Sequence, residues 1–410
     1  NAGMCERELD LYRDAIAKGV NSLSVKSKLE KPVPIDERDT IYRVDLRDYG
    51  WDNNPNFVDK DLWDTIAEVN PFAVAFEGDP ADDVRVFSNT SIPFQPADSF
   101  LQIATGGFLN AVDPGPNLYY KILQIVREQP NGTIERSLDV LEQVLGVPDR
   151  AAAISAGEVF RVIVQDSGVS QNNRAYDRYD GSSFGTYYYR SYDFASESGD
   201  RNLFENPTDF VADGGEMIFT LPNGLQGYAI SDQVDELVDV APTNIVKDLG
   251  QRDATVRVGI SCMACHAGGI NARPDEFEAF YAVAENNFKK DERELIALLF
   301  SEPDDALATQ QSDARQFQGL LEELGITSVA PEPIYGVSQQ FEANLTLARV
   351  AAEVGMTTTQ FSFELGALNG VFDKLQYTTM TRDEFAGVYV ESMCILLPGS
   401  GVLPEDCFRE

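Results

Sequence analysis

The sequence predicts a mainly α-helical protein that carries a small β element. Apolar residues recur at helical spacing through the first 165 residues and again after residue 266. Between these stretches, residues 171 to 230 are rich in Tyr, Phe, Gly and Ser and contain a hairpin signal. We therefore predict a mainly helical N-terminal region over 1–165, an aromatic, hairpin-bearing segment over 166–260 and a helical domain over 261–410.

The N-terminal region opens with a helical pattern. The stretch CERELDLYRDAIAKGV is spaced as an amphipathic helix, whereas IYRVDLRDYGW alternates as a half-buried strand does. Helical spacing returns in DLWDTIAEV, NLYYKILQIVREQ and TIERSLDVLEQVLGV, and it continues to the segment around Val159 and Val164.

An oxygen-rich turn precedes the helix predicted for DLWDTIAEV. It contains Asp52, Asn53, Asn54, Asn56 and Asp59. Such side chains can bind calcium, but they lack the regular ligand spacing and the Gly of an EF-hand loop. A helix-capping turn is the preferred interpretation, and a calcium site is the alternative.

The middle segment and the C-terminal region carry different signals. The apolar runs MIFTL and LQGYAI flank Pro222, Asn223 and Gly224, and an Asn-Gly pair readily takes the positive φ of a tight turn. After this hairpin, helical spacing recurs in about five stretches, from PDEFEAFYAVAENNF to RDEFAGVYVESM.

Charge excludes several classes of partner. Lys and Arg total 32 against 67 for Asp and Glu, and the formal charge of -35 repels phosphate backbones and anionic lipids. Nucleic acid is therefore not expected as a partner, whereas a basic protein is compatible. No run of about 18 apolar residues is present, so no membrane span is predicted.

The cysteines bear on the compartment. Cys394 and Cys407 bracket a loop with Pro and Gly, and a disulfide between them would persist only in an oxidising compartment. Cys5 could pair with either one, stay free or reach another chain. The chain begins at Asn1, which allows for a cleaved leader. We expect a periplasmic or extracellular protein.

A central motif points to a cofactor. Residues 262 to 266 spell C-x-x-C-H, the spacing that attaches one haem covalently. On one helical turn Cys262 and Cys265 point the same way and can reach two vinyl groups, while His266 reaches the iron. Region 261–410 is accordingly predicted to be cytochrome c-like. A zinc site and a dithiol redox pair also use C-x-x-C, but His266 is the only histidine, and no βαβ context surrounds the motif.

The second axial position of the iron remains open. With no second histidine, the candidates are Met, another side chain, water or an unoccupied position. Among Met217, Met356, Met380 and Met393, we rank Met217 and Met380 ahead. Met217 lies on the hairpin beside Glu216, and Met380 lies in a Thr-rich turn before a helix. Each of them also fits an ordinary core residue.

Further side chains could serve a haem. Four arginines could pair with the propionates, although ordinary ion pairs explain them equally well: Arg174, Arg178, Arg190 and Arg257. The aromatic run from Tyr187 to Phe194 could shield the cofactor or relay electrons, but filling a core is the favoured interpretation.

Several segments resemble a known group of proteins. They are YRVDLRDYGW, SYDFASESGDRNLFENP, FVADGGEMIFTLPNGLQGY and APTNIVKDLGQRDATVRVGISCMACHAGGI. They resemble the large secreted single-haem c-type cytochromes of environmental bacteria, typified by planctomycete and myxobacterial proteins. The resemblance runs from Ile41 into the helices after His266. It implies covalent haem at the C-x-x-C-H motif, export and a redox role without a defined substrate.

Three functions are compatible with one covalent haem. Single-electron transfer with a redox partner protein is favoured. The alternative is a peroxidase-like enzyme with an open distal site, in which Glu216 would transfer protons. A haem-containing sensor or binding protein is the third. The single attachment motif excludes a multihaem wire within the chain.

Overall fold

The computed structural model describes residues 4–57, 62–72, 75–76, 94–106, 118–129, 131–167, 170, 172–181, 185–300, 303–368, 370–396 and 402–403. The structure is 45% helical and 15% strand, and its largest sheet has five antiparallel strands. The prediction of a mainly α, cytochrome c-like fold is therefore wrong. Helices and a substantial antiparallel sheet combine in an α+β architecture.

The described elements follow in chain order. The strands are β1 (Val33–Pro34), β2 (Tyr42–Arg43), β3 (Ala75–Phe76), β4 (Arg127–Glu128), β5 (Ile134–Glu135), β6 (Val159–Val164), β7 (Arg174–Asp180), β8 (Tyr187–Tyr192), β9 (Gly214–Thr220), β10 (Gln226–Asp232), β11 (Val240–Ala241), β12 (Val256–Arg257) and β13 (Val402–Leu403). The helices are α1 (Glu6–Ser22), α2 (Leu46–Tyr49), α3 (Leu62–Val69), α4 (Ala97–Ala104), α5 (Leu118–Ile122), α6 (Leu138–Leu145), α7 (Arg150–Ala156), α8 (Ile260–Cys265), α9 (Phe277–Ala284), α10 (Lys290–Leu299), α11 (Pro303–Leu324), α12 (Pro333–Glu342), α13 (Leu347–Glu353), α14 (Thr358–Glu364) and α15 (Arg382–Leu396).

The central sheet is a meander in which each strand pairs with the next, in the order β10-β9-β8-β7-β6. The predicted hairpin is confirmed as β9 and β10, with Thr220 opposite Gln226. At its turn the Leu221 amide donates to the Leu225 carbonyl at 2.7 Å, and Gly224 has φ +88°. That value lies in the left-handed region where glycine carries no Cβ penalty.

The first strand of the sheet corrects a helical assignment. The segment around Val159 and Val164 is β6, and five of its six residues are buried. A strand that is buried on both faces lacks the alternation that marks a half-exposed strand. Within it, Arg161 lies opposite Asp177 of β7 and binds that carboxylate through two contacts of 2.6 and 2.7 Å. The pair lets charged residues occupy a buried sheet.

Some of the other secondary-structure predictions are confirmed, and one is only partly so. The opening helix is confirmed as α1, and the stretch after residue 266 is helical as expected. The predicted strand in IYRVDLRDYGW reduces to β2, because the Asp45 side chain accepts from the Arg47 amide and begins α2.

Packed helices form the frame for the C-x-x-C-H motif. Helix α1 packs on α12 and α4, and α12 packs on α8, which carries the motif. The main core includes Cys262 and Met263, whereas a second core is formed by α13 to α15 and their connections. None of the helices in the described residues has the length and apolar character needed to cross a membrane.

The predicted calcium site and the predicted Cys394–Cys407 disulfide each include a residue that lies outside the described residues. In the oxygen-rich turn, the Asn54 amide donates to the carbonyls of Lys121 and Ile122, each at 3.1 Å, and so binds the C-terminal end of α5 instead of the predicted helix α3. Asp59 lies outside the described residues, and the calcium alternative stays a prediction. Cys407 also lies outside them, so the Cys394–Cys407 disulfide stays a prediction as well.

Candidate functional site

The C-x-x-C-H motif is held in place by the backbone before it. Gly259 has φ +76°, and a Cβ added there would lie 2.5 Å from the Thr105 carbonyl oxygen, so only glycine fits. The Ile260 amide donates to that same carbonyl at 3.1 Å. The start of α8 is thus fixed against the end of α4. Both cysteines lie on the single short helix that follows, as the sequence predicts.

His266 is oriented as a metal ligand would be. Its Nδ1 lies 3.2 Å from the Gly269 carbonyl oxygen. Because a carbonyl only accepts, Nδ1 carries the proton and Nε2 keeps a free lone pair in the neutral ring. Burial lowers the pKa of His266, which favours that neutral form. A hydrogen bond from the far ring nitrogen to a backbone carbonyl typically fixes the tautomer of an imidazole that binds a metal.

The two cysteines differ in access, and the pKa of each thiol is raised. Cys262 is 9% exposed, whereas Cys265 is exposed. Burial raises the pKa of the Cys262 thiol well above its usual range and that of Cys265 to about 11. Dithiol redox enzymes depend instead on a lowered thiol pKa. The electrostatics of the motif therefore argue against a dithiol redox pair.

The motif forms one wall of a cavity, and the central sheet forms the opposite wall. The cavity has a volume of about 140 Å³. Cross-strand pairing places its sheet residues on one face, because directly paired residues point the same way. They are Val164, Arg174, Tyr176, Tyr189, Ser191, Glu216, Ile218 and Tyr228. The Tyr228 ring lies 6.3 Å from the His266 ring, centroid to centroid.

The positions of the methionines do not match their ranking as candidates for the second axial ligand. Met217 borders the cavity, but it pairs with Arg190 and Ala229, and strand alternation directs its side chain to the face opposite Glu216. Met380 bridges to Leu345 within the second core and does not line the cavity. Met356 and Met393 belong to that second core too. Among the described residues, therefore, no later methionine reaches the motif.

Arg174 supplies an unpaired donor in the cavity. Its guanidinium binds Asp193 and lies 3.3 Å from Glu216, but Nη2 is buried without a hydrogen-bond partner. An unsatisfied buried N–H costs roughly 1–3 kcal/mol. A ligand with a hydrogen-bond acceptor at this position would satisfy Nη2, and the propionates of haem are such acceptors.

The other candidate arginines are less suited to this role. Arg178 and Arg190 are engaged by carboxylates, at 3.0 Å from Asp313 and 3.0 Å from Asp235 respectively. Arg257 also has a buried unpaired Nε, but its side chain binds Gln251 and Asp253, and it does not line the cavity. Of the four arginines, Arg174 is the one that fits.

No family model, curated protein or solved structure matches this chain. The resemblance to single-haem cytochromes stays a prediction, and the donor set itself is what tests the fit of a haem. Two thiols on one helical turn, an imidazole with a free Nε2 and an unpaired buried arginine all suit that group. By contrast, no group of three His, Cys, Asp or Glu side chains in the described ranges could hold a metal ion, as zinc requires.

Sequence reasoning missed part of the cavity. Ser191, Tyr176 and Arg273 line it, although none stands in a recognisable motif. For the first two, the available signal is the alternation that they share with Arg174 and Tyr189 on β7 and β8. Recognising that signal requires knowing that these segments are strands.

Proposed function

We propose that the chain is an exported single-haem c-type cytochrome that transfers single electrons. The observation that carries the proposal is the cavity, in which Cys262, Cys265 and His266 face a wall that holds the unpaired Nη2 of Arg174. When bound, haem supplies a one-electron couple at its iron. The two thiols would anchor the group through thioethers, and Nε2 of His266 would ligate the iron.

The charge of the cavity supports an anionic cofactor. The chain as a whole is strongly acidic, with a formal charge of -35. The charged residues that line the cavity are Glu216, Arg174 and Arg273, which are two cations and one anion, and Asp193 binds Arg174 from beside the lining. Arg174 and Arg273 would pair with the two carboxylates of haem, for which arginine has the matching donor geometry.

The same structure suggests a route for electrons. Cys265 is exposed, so a haem held by it would present an edge close to the surface. The cavity wall also includes aromatic and aliphatic residues, among them Tyr176, Tyr228 and Ile218, which would pack against the rest of the group. The negative charge of the chain favours a basic redox partner, which it would attract over long range.

Covalent haem is the first point to test. The protein, expressed with a periplasmic haem-attachment system and then denatured, should retain haem on the chain, as measured by the alkaline pyridine spectrum. Replacing Cys262 and Cys265 by Ala should release it, whereas Cys5→Ala should not, since Cys5 lies outside the motif. A wild-type chain without covalent haem would overturn the proposal, as would a double variant that keeps it.

A second candidate, a peroxidase-like enzyme, is favoured by one specific observation. Glu216 lies in the cavity beside Arg174, whereas strand alternation directs the side chain of Met217, which borders the cavity, to the opposite face of the sheet. A carboxylate can accept a proton from hydroperoxide, and an adjacent cation can stabilise the developing charge. The resting ferric spectrum separates the two functions. Low-spin six-coordinate iron supports electron transfer, and high-spin iron whose peroxide reaction slows in Glu216→Gln supports the enzyme.

A further inference from the structure

We propose that Tyr189 is a redox-active tyrosine, which gives an electron to the cofactor in the cavity and its proton to Asp313. The inference rests on the proposed function in one respect, namely that haem is attached at the motif. It also uses the reaction of the haem site with a hydroperoxide, which is the oxidant of the second candidate function.

The hydroxyl of Tyr189 has a built proton acceptor. It donates to Oδ2 of Asp313 at 2.7 Å, while the Tyr189 side chain is 5% exposed and lines the cavity. Oxidation of a buried phenol requires loss of its proton, because a charged phenol cation would be desolvated. At hydrogen-bond distance that proton can move without any rearrangement of the protein.

Asp313 is held in position by a second partner. Arg178 approaches the same carboxylate with Nε at 3.0 Å and Nη2 at 3.2 Å, and it also contacts Asp180. The guanidinium keeps Asp313 paired before the transfer. After Asp313 has taken up the proton, Asp180 still balances the charge of Arg178.

The other tyrosines of the cavity lack such an acceptor. The hydroxyl of Tyr176 donates to the amide oxygen of Gln310 at 2.8 Å, and that of Tyr228 donates to the amide oxygen of Gln226 at 3.0 Å. An amide oxygen is far less basic than a carboxylate and does not take up a proton at ordinary pH. Tyr189 therefore stands apart among the cavity tyrosines.

A carboxylate partner alone is not the distinguishing feature. Tyr188 donates to Glu142 at 2.8 Å, but it belongs to the opposite face of the sheet and does not line the cavity. Tyr189 combines both properties, cavity contact and a carboxylate acceptor. This combination provides two matched controls, Tyr176 for the cavity and Tyr188 for the carboxylate.

The step balances with a hydroperoxide as oxidant. Reduction of a hydroperoxide to an alcohol and water takes up two electrons and two protons. A bound haem would supply one electron and Tyr189 the other, and the two protons would come from solvent. As Tyr189 loses its electron, its O–H bond breaks and its proton forms a new O–H bond on Oδ2 of Asp313. The products on the chain are a neutral tyrosyl radical and a protonated carboxyl group.

The test is electron paramagnetic resonance of the haem-loaded protein, frozen at intervals after mixing with hydrogen peroxide. We expect a tyrosyl signal in wild type that is lost in Tyr189→Phe and kept in Tyr176→Phe and Tyr188→Phe. In Asp313→Asn the signal should form about tenfold more slowly or reach a lower intensity, since a positioned base is removed. Tyr189→Phe removes only a hydroxyl, so it keeps the test valid should Asp313→Asn fold poorly.

Each outcome has a separate meaning. Covalent haem is measured in every variant from the pyridine spectrum. If wild type carries haem but forms no radical, or if Tyr189→Phe keeps the full signal, the role of Tyr189 is overturned while the proposed haem site stands. If wild type carries no haem, the proposed function fails first.

Discussion

Substitution of Lys18 by Met should destabilise the protein strongly, because Lys18 neutralises a buried carboxylate. Its Nζ lies 2.7 Å from Oε1 of Glu332, and the two side chains are only 1% and 2% exposed. Breaking a buried ion pair by removing one partner costs about 3–5 kcal/mol. Glu332 keeps one further partner, the Tyr335 amide at 2.6 Å, so we expect a loss near the lower end, about 3 kcal/mol.

Urea unfolding followed by circular dichroism measures this loss. The double variant Lys18→Met/Glu332→Gln should recover most of it, because no charge is then left buried and the glutamine oxygen can still accept from Tyr335. Lys28→Met is the matched surface control. Lys28 is 82% exposed beside Glu30, so its loss should change almost nothing. If Lys18→Met costs no more than Lys28→Met, or if the double variant recovers nothing, the argument from buried charge is refuted.

Three further predictions test local features. Gly259→Ala should lower the free energy of unfolding by about 2 kcal/mol or more. Gly157→Ala should cost less, because Gly157 also has a positive φ but its added methyl meets nothing within 4 Å. Equal losses would show that the close backbone contact of Gly259 is unimportant. In the haem-free folded protein an alkylating reagent should modify Cys265 well before Cys262, as located by mass spectrometry, and equal rates would contradict the burial of Cys262. The pKa of Asp36 should be about 2 instead of 3.8, because the Thr40 hydroxyl and nearby amides donate to its carboxylate. The stabilising effect of this carboxylate is then complete above pH 3.8 and is lost as the pH falls through about 2. A nuclear magnetic resonance titration that gives a pKa near 3.8 would disprove this.

The sequence predicts those features whose signals are local. Helix α1, the Asn223–Gly224 turn and the C-x-x-C-H motif each depend on residues within a few positions of one another. Strands β6 to β8 carry weaker local signals, because most of their residues are buried and β6 and β7 hold a buried ion pair between Arg161 and Asp177. Charged residues in a buried strand conceal the pattern that would have identified it.

One wall of the candidate site could be predicted from local sequence, and the other could not. Its motif wall follows from chemistry, since covalent attachment of haem requires Cys262, Cys265 and His266 to be adjacent. The opposite wall depends on the register of five strands, which brings Val164 and Tyr228 to one surface. A shift of one residue exchanges the two faces of a strand. That single step separates Glu216, which faces the cavity, from Met217, which does not.

The connectivity of the central sheet has a consequence for how the molecule assembles. Each of its strands pairs with its neighbour in sequence, whereas Lys18 and Glu332 meet across 314 positions. Local pairing pays little loop-closure entropy, so the meander can form early, while the docking of α1 on α12 waits for a distant part of the chain. The cavity wall of β6 to β10 also precedes Cys262 and Cys265 in the chain, so a chain that folds from its N-terminal end has this surface ready for the motif. Pulse-labelled hydrogen exchange during refolding would record this order as earlier protection of amides in the meander than in α1.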